Sequence, residues 1–283
     1  MPMNPRLLRP RSTIHPEAAA WANRVRANGG SVSGLTLNAV SRFCASIAAA
    51  GIRDRFYRLN LFCGTGLTAC LVPLYRGQSL GGTQFGGTTD TNTGPFVSGD
   101  YAETGASGGL DGDGVGKWLE TGLTYDAMGV PATGHLSVFK QATTWDQREL
   151  IGANDSDDLY YLQTRLPFAG VYAINAVVGR STFINLATIS TGASHLVASR
   201  TSATSLVVYE NASQVAVNTT SATPGTCSHQ FLVFNRNSNG TAGVVPWPHR
   251  LMGYSIGLGM TATQVSAYNS AMQAFQTALS RNV

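Results

Sequence analysis

Chemistry needs particular residue types at particular spacings, and only a handful of places in this chain come near to supplying them. Gly64-Thr65-Gly66-Leu67-Thr68-Ala69 follows the apolar Leu61-Phe62-Cys63 and fits the glycine spacing that lets a backbone approach a pyrophosphate. A dinucleotide site also needs a parallel βαβ unit and an acid closing the next strand about 20 residues on. Here a Gly/Thr-rich stretch runs up to Asp90 without a strand pattern, so no cofactor site is expected. Gly105-Ala106-Ser107-Gly108-Gly109 fits the spacing of a nucleophile elbow. Such a serine must stand between a buried strand and a helix, and this one lies in a polar run.

The remaining polar clusters read as loops. Asp111-Gly112-Asp113 lacks the further oxygen donors of an EF-hand-type loop and reads as an Asp/Gly turn. Asp155, Asp157 and Asp158 precede Leu159 in a turn, and no strand carries the paired carboxylates of a sandwich-fold glycosidase. The five histidines (His15, His135, His195, His229, His249) are dispersed and none pairs at a metal-binding spacing. Cys44, Cys63, Cys70 and Cys227 form no C-x-x-C pair and sit among apolar residues, which predicts reduced, buried thiols. Asn154-Asp155-Ser156 and Asn239-Gly240-Thr241 match glycosylation sequons, but the Arg-rich start shows no apolar h-region of a signal peptide. No metal, cofactor or catalytic group is expected.

What the chain does supply is scaffold. Only 12% of its residues are charged and 32 are glycine, which suits a β-rich protein with many tight turns. No run of 18 apolar residues occurs, so no membrane span is expected. Residues 1–60 hold nine arginines against Glu17 and Asp54, while the remainder is slightly acidic against a net charge of +4 overall. Pro16 opens a run of helix formers that Asn28-Gly29-Gly30 stops, and Val40, Phe43 and Ile47 stripe a second helix from about Leu37 to Ala50. Residues 1–76 are therefore expected to be a basic arm and helical anchor subdomain. Residues 77–116 form a Gly/Thr-rich connection with Phe85, Phe96, Val97 and Tyr101 as anchors.

From residue 117 the period shortens to two. Expected strands are Lys117–Thr121, His135–Gln141, Arg148–Ile151, Leu159–Arg165, Val171–Val178, Thr182–Ile189, His195–Arg200, Ser205–Tyr209, Gln214–Asn218, Gln230–Asn235 and Met252–Leu258. Turn residues every 8–12 positions point to an antiparallel sandwich rather than βαβ units. Thr261-Ala262-Thr263-Gln264 is a capping box, and Val265, Tyr268, Met272, Phe275 and Leu279 stripe the helix behind it. Residues 117–283 are thus read as one β-sandwich closed by an amphipathic helix.

Several stretches carry a family resemblance. Gly109-Leu110-Asp111-Gly112-Asp113-Gly114-Val115-Gly116-Lys117-Trp118-Leu119-Glu120-Thr121-Gly122 resembles the opening of laminin-G-like domains, which are concanavalin-like (jelly-roll) sandwiches. Leu251 to Thr261, a glycine-rich last strand before a threonine-capped helix, is similar to the close of such modules in phage and prophage virion proteins. Gly51-Ile52-Arg53-Asp54 and Thr93-Gly94-Pro95-Phe96-Val97-Ser98-Gly99-Asp100-Tyr101 resemble the lead-in and junction of those proteins.

The resemblance implies a non-enzymatic structural protein of a bacteriophage virion, made in the host cytoplasm and carried on capsid or tail. Its partners would be other virion proteins and further copies of itself. Arg6, Arg9 and Arg11 are the candidate anchor, expected on an acidic neighbour rather than on nucleic acid, since exposed aromatics are not interleaved with them. The alternative is a host-recognition adhesin that contacts a surface glycan through an exposed aromatic platform, with Trp118, Trp145, Tyr160 and Trp247 as candidates.

Overall fold

The computed structural model describes residues 14–129, 133–143, 146–156, 158–165, 173–179, 184–221 and 225–281. In chain order the elements are α1 (Pro16–Ala27), α2 (Gly34–Ala49), β1 (Phe56–Asn60), α3 (Leu67–Cys70), β2 (Tyr101–Ala102), β3 (Gly109–Asp111), β4 (Leu119–Thr124), α4 (Tyr125–Met128), β5 (Gly134–Lys140) and β6 (Arg148–Asp155). Then follow β7 (Asp158–Arg165), β8 (Ala173–Val178), β9 (Ile184–Thr188), β10 (Ser194–Ser202), β11 (Ser205–Glu210), β12 (Ser213–Asn218), β13 (Gln230–Val233), β14 (Arg236–Ser238), β15 (Thr241–Ala242), β16 (Arg250–Gly257) and α5 (Ala262–Ala278).

Two sheets form a mainly β sandwich. The first runs β12-β11-β10-β5-β16-β3-β2, with β1 sharing the edge of β16 beside β3. The second runs β15-β14-β6-β7-β8-β9, with β13 joining β6 to β4. Pairing is antiparallel except where β14 lies parallel to β6. That exception has a local cause. Phe234 takes a left-handed backbone (φ 70°), which ends β13 and turns the chain so that it resumes as β14 along the same strand. The expected strand Gln230–Asn235 stops early for this reason.

Alternation along the strands divides the side chains between two cores. Leu136, Val138, Leu196, Ala198, Leu206, Val208 and Ile256 of the first sheet meet Leu150, Tyr160, Leu162, Ile174, Ala176, Phe231 and Val233 of the second. The opposite face of the first sheet presents Phe139, Val197, Tyr209 and Met252 to a helical layer, where Trp21, Val25, Phe43, Ile47, Tyr268, Met272 and Phe275 cover them. The molecule therefore has three layers: helices, first sheet, second sheet.

The three longer helices start at side-chain caps, and Ser33 starts α2 at Gly34, three residues ahead of the expected Leu37. His15 accepts the Glu17 N–H ahead of Pro16, Ser33 accepts that of Thr36, and Thr261 and Gln264 satisfy each other's N–H groups reciprocally. The stripe Val265, Tyr268, Met272, Phe275 and Leu279 is buried throughout.

A packing break at residue 76, where the helical anchor subdomain was expected to end, is not what the structure has. β1 is hydrogen bonded to β16, and α1 and α2 share one core with α5. Helices of this length are marginal in water unless their apolar face is covered, and here the far end of the chain covers it. The Gly/Thr-rich connection is likewise built in. Asp90, fully buried, accepts Arg58 Nε and Nη2 (2.9 and 2.7 Å), Asn60 Nδ2 (2.8 Å) and Tyr254 OH (2.7 Å). One carboxylate thus ties the connection to β1 and β16.

Candidate functional site

Among the described residues, those named for glycan contact do not form an exposed aromatic platform. Trp247 is fully buried in the sandwich core, edge-on to His249, and its backbone N–H donates to the Phe234 carbonyl (2.7 Å). Tyr160 also points into the core, stacked on Tyr125 at 3.8 Å with its hydroxyl donating to the Gly225 carbonyl. Trp118 is half-buried against the same core. Trp145 lies outside the described residues, as do Arg6, Arg9 and Arg11.

The side chain that does reach the outer face is the next one along. On β7 the alternation sends Tyr160 and Leu162 inward and Tyr161 and Gln163 outward. Outside Tyr161 lies the Arg236 guanidinium, 4.8 Å from its ring centroid. Arg236, at the head of β14, pairs with Glu149 on β6 (Nη2 to Oε1, 2.9 Å), and Gln163 Nε2 donates to the same oxygen at 3.2 Å. Gln147, Glu149, Arg236, Ser238, Thr241 and the Gly243–Val245 segment line a pocket of about 470 Å³ there.

The ion pair leaves two polar atoms unused. Glu149 Oε2 and Arg236 Nε are both buried and have no hydrogen-bond partner. Burial pushes the Glu149 carboxyl upward, against the opposing pull of Arg236. An unpaired buried donor or acceptor costs about 1–3 kcal/mol, so a ligand that satisfies both atoms recovers that cost. Gly243 lies directly over Oε2 and leaves no room there for a Cβ. Access to that oxygen therefore depends on the Thr241–Val245 segment, where Val244 is 92% exposed.

Other polar arrangements among the described residues are structural. Ser255 and His135 stand 2.7 Å apart, a distance compatible with a nucleophile and base, but both are sealed beneath Phe56, Tyr268 and α5. Asp113 Oδ1 accepts the N–H groups of Val115, Gly116 and Lys117, and Asp111 pairs with Arg250, so both acids of the Asp/Gly turn are committed. The Gly64–Ala69 pattern follows β1, which is antiparallel to its neighbour, and the Gly64 N–H is taken by Glu103. His15, Glu17 and Cys44 bring possible metal donors within 4.8 Å of one another. Glu17 is already bound to Arg53, and burial pushes the Cys44 thiol up to about 12, so this set is poorly disposed to ligate. No helix among the described residues is long and apolar enough to cross a membrane.

Neither a protein-family model nor a curated relative matches the chain. Several solved structures are similar over part of it. The CBM40 of Ruminococcus gnavus IT-sialidase is 12% identical, with 56% of this chain and 95% of that one covered at a TM-score of 0.42. Domain 4 of AbnA, a GH43 extracellular arabinanase from Geobacillus stearothermophilus, solved with arabinotriose, is 18% identical, covering 64% and 86% at 0.44. Trypanosoma rangeli sialidase is 10% identical, covering 62% of this chain and 29% of that one at 0.43. The residues of the outer-face pocket are not carried over from any of them.

Proposed function

We propose that the chain is a glycan-binding module that holds a neutral sugar on the outer face of the second sheet. The observation that carries this is the pair of unused atoms in one ion pair, Glu149 Oε2 and Arg236 Nε. An acceptor beside a donor complements two neighbouring hydroxyls, one donating to the carboxylate and one accepting from the guanidinium. Gln147, Ser238 and Thr241 add further hydrogen-bonding groups around the rim. Because Glu149 balances Arg236, the pocket has no surplus charge to demand an acidic sugar.

The test is retention of the full chain on an array of neutral and acidic oligosaccharides, with calorimetry on those retained. Neutral oligosaccharides are expected to bind, and Arg236→Ala to bind them at least about tenfold more weakly, the scale of one charge-assisted hydrogen bond. No retention of any glycan, or wild-type affinity in Arg236→Ala, overturns the reading.

Display of this module on a phage particle is a further proposal, supported by the resemblances at residues 51–54, 93–101 and 251–261. With the helices integral to the sandwich, attachment falls to the arm carrying Arg6, Arg9 and Arg11. Co-sedimentation of the chain with particles, lost on deletion of residues 1–13, is the expected result; sedimentation unaffected by the deletion refutes it.

A further inference from the structure

A second pocket, of about 380 Å³, lies far along the chain from the first, between α1, the turn at Arg53–Arg55 and residues 74–84. Arg24, Arg53 and Arg76 line it together with Glu17 and the loop Ser79–Gln84. Each guanidinium is held in place from behind. Arg24 Nη2 donates to the Pro73 and Leu74 carbonyls (3.1 and 2.8 Å), and Arg76 Nη2 to the Gly86 carbonyl (3.0 Å). Arg53 lies over the Tyr75 ring at 3.7 Å and donates to Glu17 and to the Gly77 carbonyl.

These contacts position the three cations and neutralise only Arg53, through Glu17. Carbonyls carry no charge, and the one carboxylate, Glu17, is engaged by Arg53. The Nε atoms of Arg24 and Arg76 are buried and have no partner. The mutual repulsion is felt: Arg24 is pushed down to about 10 by burial first and by Arg76 second. Gly81, at φ +81°, leaves the loop backbone there open to a small group.

Three fixed guanidiniums and one committed carboxylate line one cavity, and two of those guanidiniums keep a buried Nε–H without a partner. We infer that this pocket binds a small oxyanion, a phosphate or a carboxylate, free or carried on a larger ligand. Arginine is suited to both because its planar fork matches their oxygens. The inference does not depend on the sugar pocket.

The experiment titrates the full chain with inorganic phosphate and, separately, glucuronate, each against sodium chloride at matched ionic strength. Arginine Nε–H resonances are followed by NMR and affinity by calorimetry. Saturable shifts of the Arg24 and Arg76 resonances with phosphate, glucuronate or both, and not with chloride, are expected; whichever acts identifies the headgroup. Arg76→Gln should weaken that binding at least about tenfold and leave oligosaccharide binding at the second sheet unchanged. The wild-type shifts do not require any variant to fold. Absence of shifts with both anions, or undiminished affinity in Arg76→Gln, overturns the inference.

Discussion

Acidification should destabilise this protein well above the pH at which its carboxylates protonate, and two buried histidines set the window. His135 Nδ1 faces the Leu258 carbonyl at 2.7 Å and must donate to it, so Nε2 must accept from Ser255. Ser255 then accepts from Ser137, and Ser137 from Tyr268, which gives a directional chain from helix to sheet. Protonating His135 turns its acceptor into a donor and reverses the chain. Burial holds His135 down at about 4 despite the Leu258 carbonyl, with Arg55 adding to the depression. His195, stacked on Phe139 and facing Asn269, is held by burial at about 3.

In the unfolded chain both titrate near 6.5. Between that value and the folded ones the unfolded state binds more protons, so stability is full above 6.5 and falls as pH drops. At 1.36 kcal/mol per unit, lowering pH from 7 to 5 should cost about 2 kcal/mol for each histidine. Against a total of roughly 5–15 kcal/mol, that is a large fraction. Urea titrations at pH 7, 6 and 5 measure the slope, and the histidine Cε1–H shifts by NMR assign it. A histidine at either position titrating near 6.5 in the folded protein, or stability that is flat from pH 7 to 5, refutes the reasoning.

Three further outcomes are expected. Phe275→Ala removes a 2%-exposed ring that meets Phe43 edge-on at 6.1 Å and should cost about 3–5 kcal/mol, read by chemical denaturation; an unchanged midpoint refutes its core role. Asp90→Ala strands the fully buried Arg58 and should cost about 3–5 kcal/mol in a single transition; a separate early transition would mean that residues 77–116 unfold independently. Glu149→Gln keeps the shape of the side chain but removes the carboxylate that accepts from the sugar, so affinity for neutral oligosaccharides should fall about tenfold by calorimetry; equal affinity refutes the diol geometry.

Much of the scaffold was legible because its periodicity is local. Eleven expected strands have counterparts, although the starts expected at Val171 and Thr182 lie outside the described residues. The capped helices were readable for the same reason: a cap and a stripe are facts of a dozen neighbouring residues. The short strands β2, β3, β14 and β15 carry too few residues to show a period, and β1 pairs with β16 at the far end of the chain. The sites depend on what period two alone does not determine. Tyr160-Tyr161 announces an aromatic on each face of β7 without saying which face is core. Glu149 and Arg236 are separated by most of the sandwich in sequence, and only the left-handed turn at Phe234 lays β14 beside β6 and brings them together. The signal that was available is composition: an acid beside an arginine at the head of a strand that continues apolar, in Arg148-Glu149-Leu150-Ile151.

The layer order limits where binding can occur. The inner faces of both sheets are spent on the sandwich core, and the outer face of the first sheet is spent on the helices. What remains for a ligand is the outer face of the second sheet and the margins of the helical layer. Both carry pocket-lining charged side chains that the fold holds yet leaves incompletely paired, at Glu149–Arg236 and at Arg24–Arg76. Buried polar atoms without partners are a cost that a purely structural face has no reason to carry. Their place in residues that line pockets distinguishes these four atoms from the committed Arg58–Asp90 pair, whose carboxylate and guanidinium are matched within the fold. The contrast between Asp90, satisfied four times over, and Arg236 Nε and Glu149 Oε2, which have no partner, is what supports the proposed sugar site.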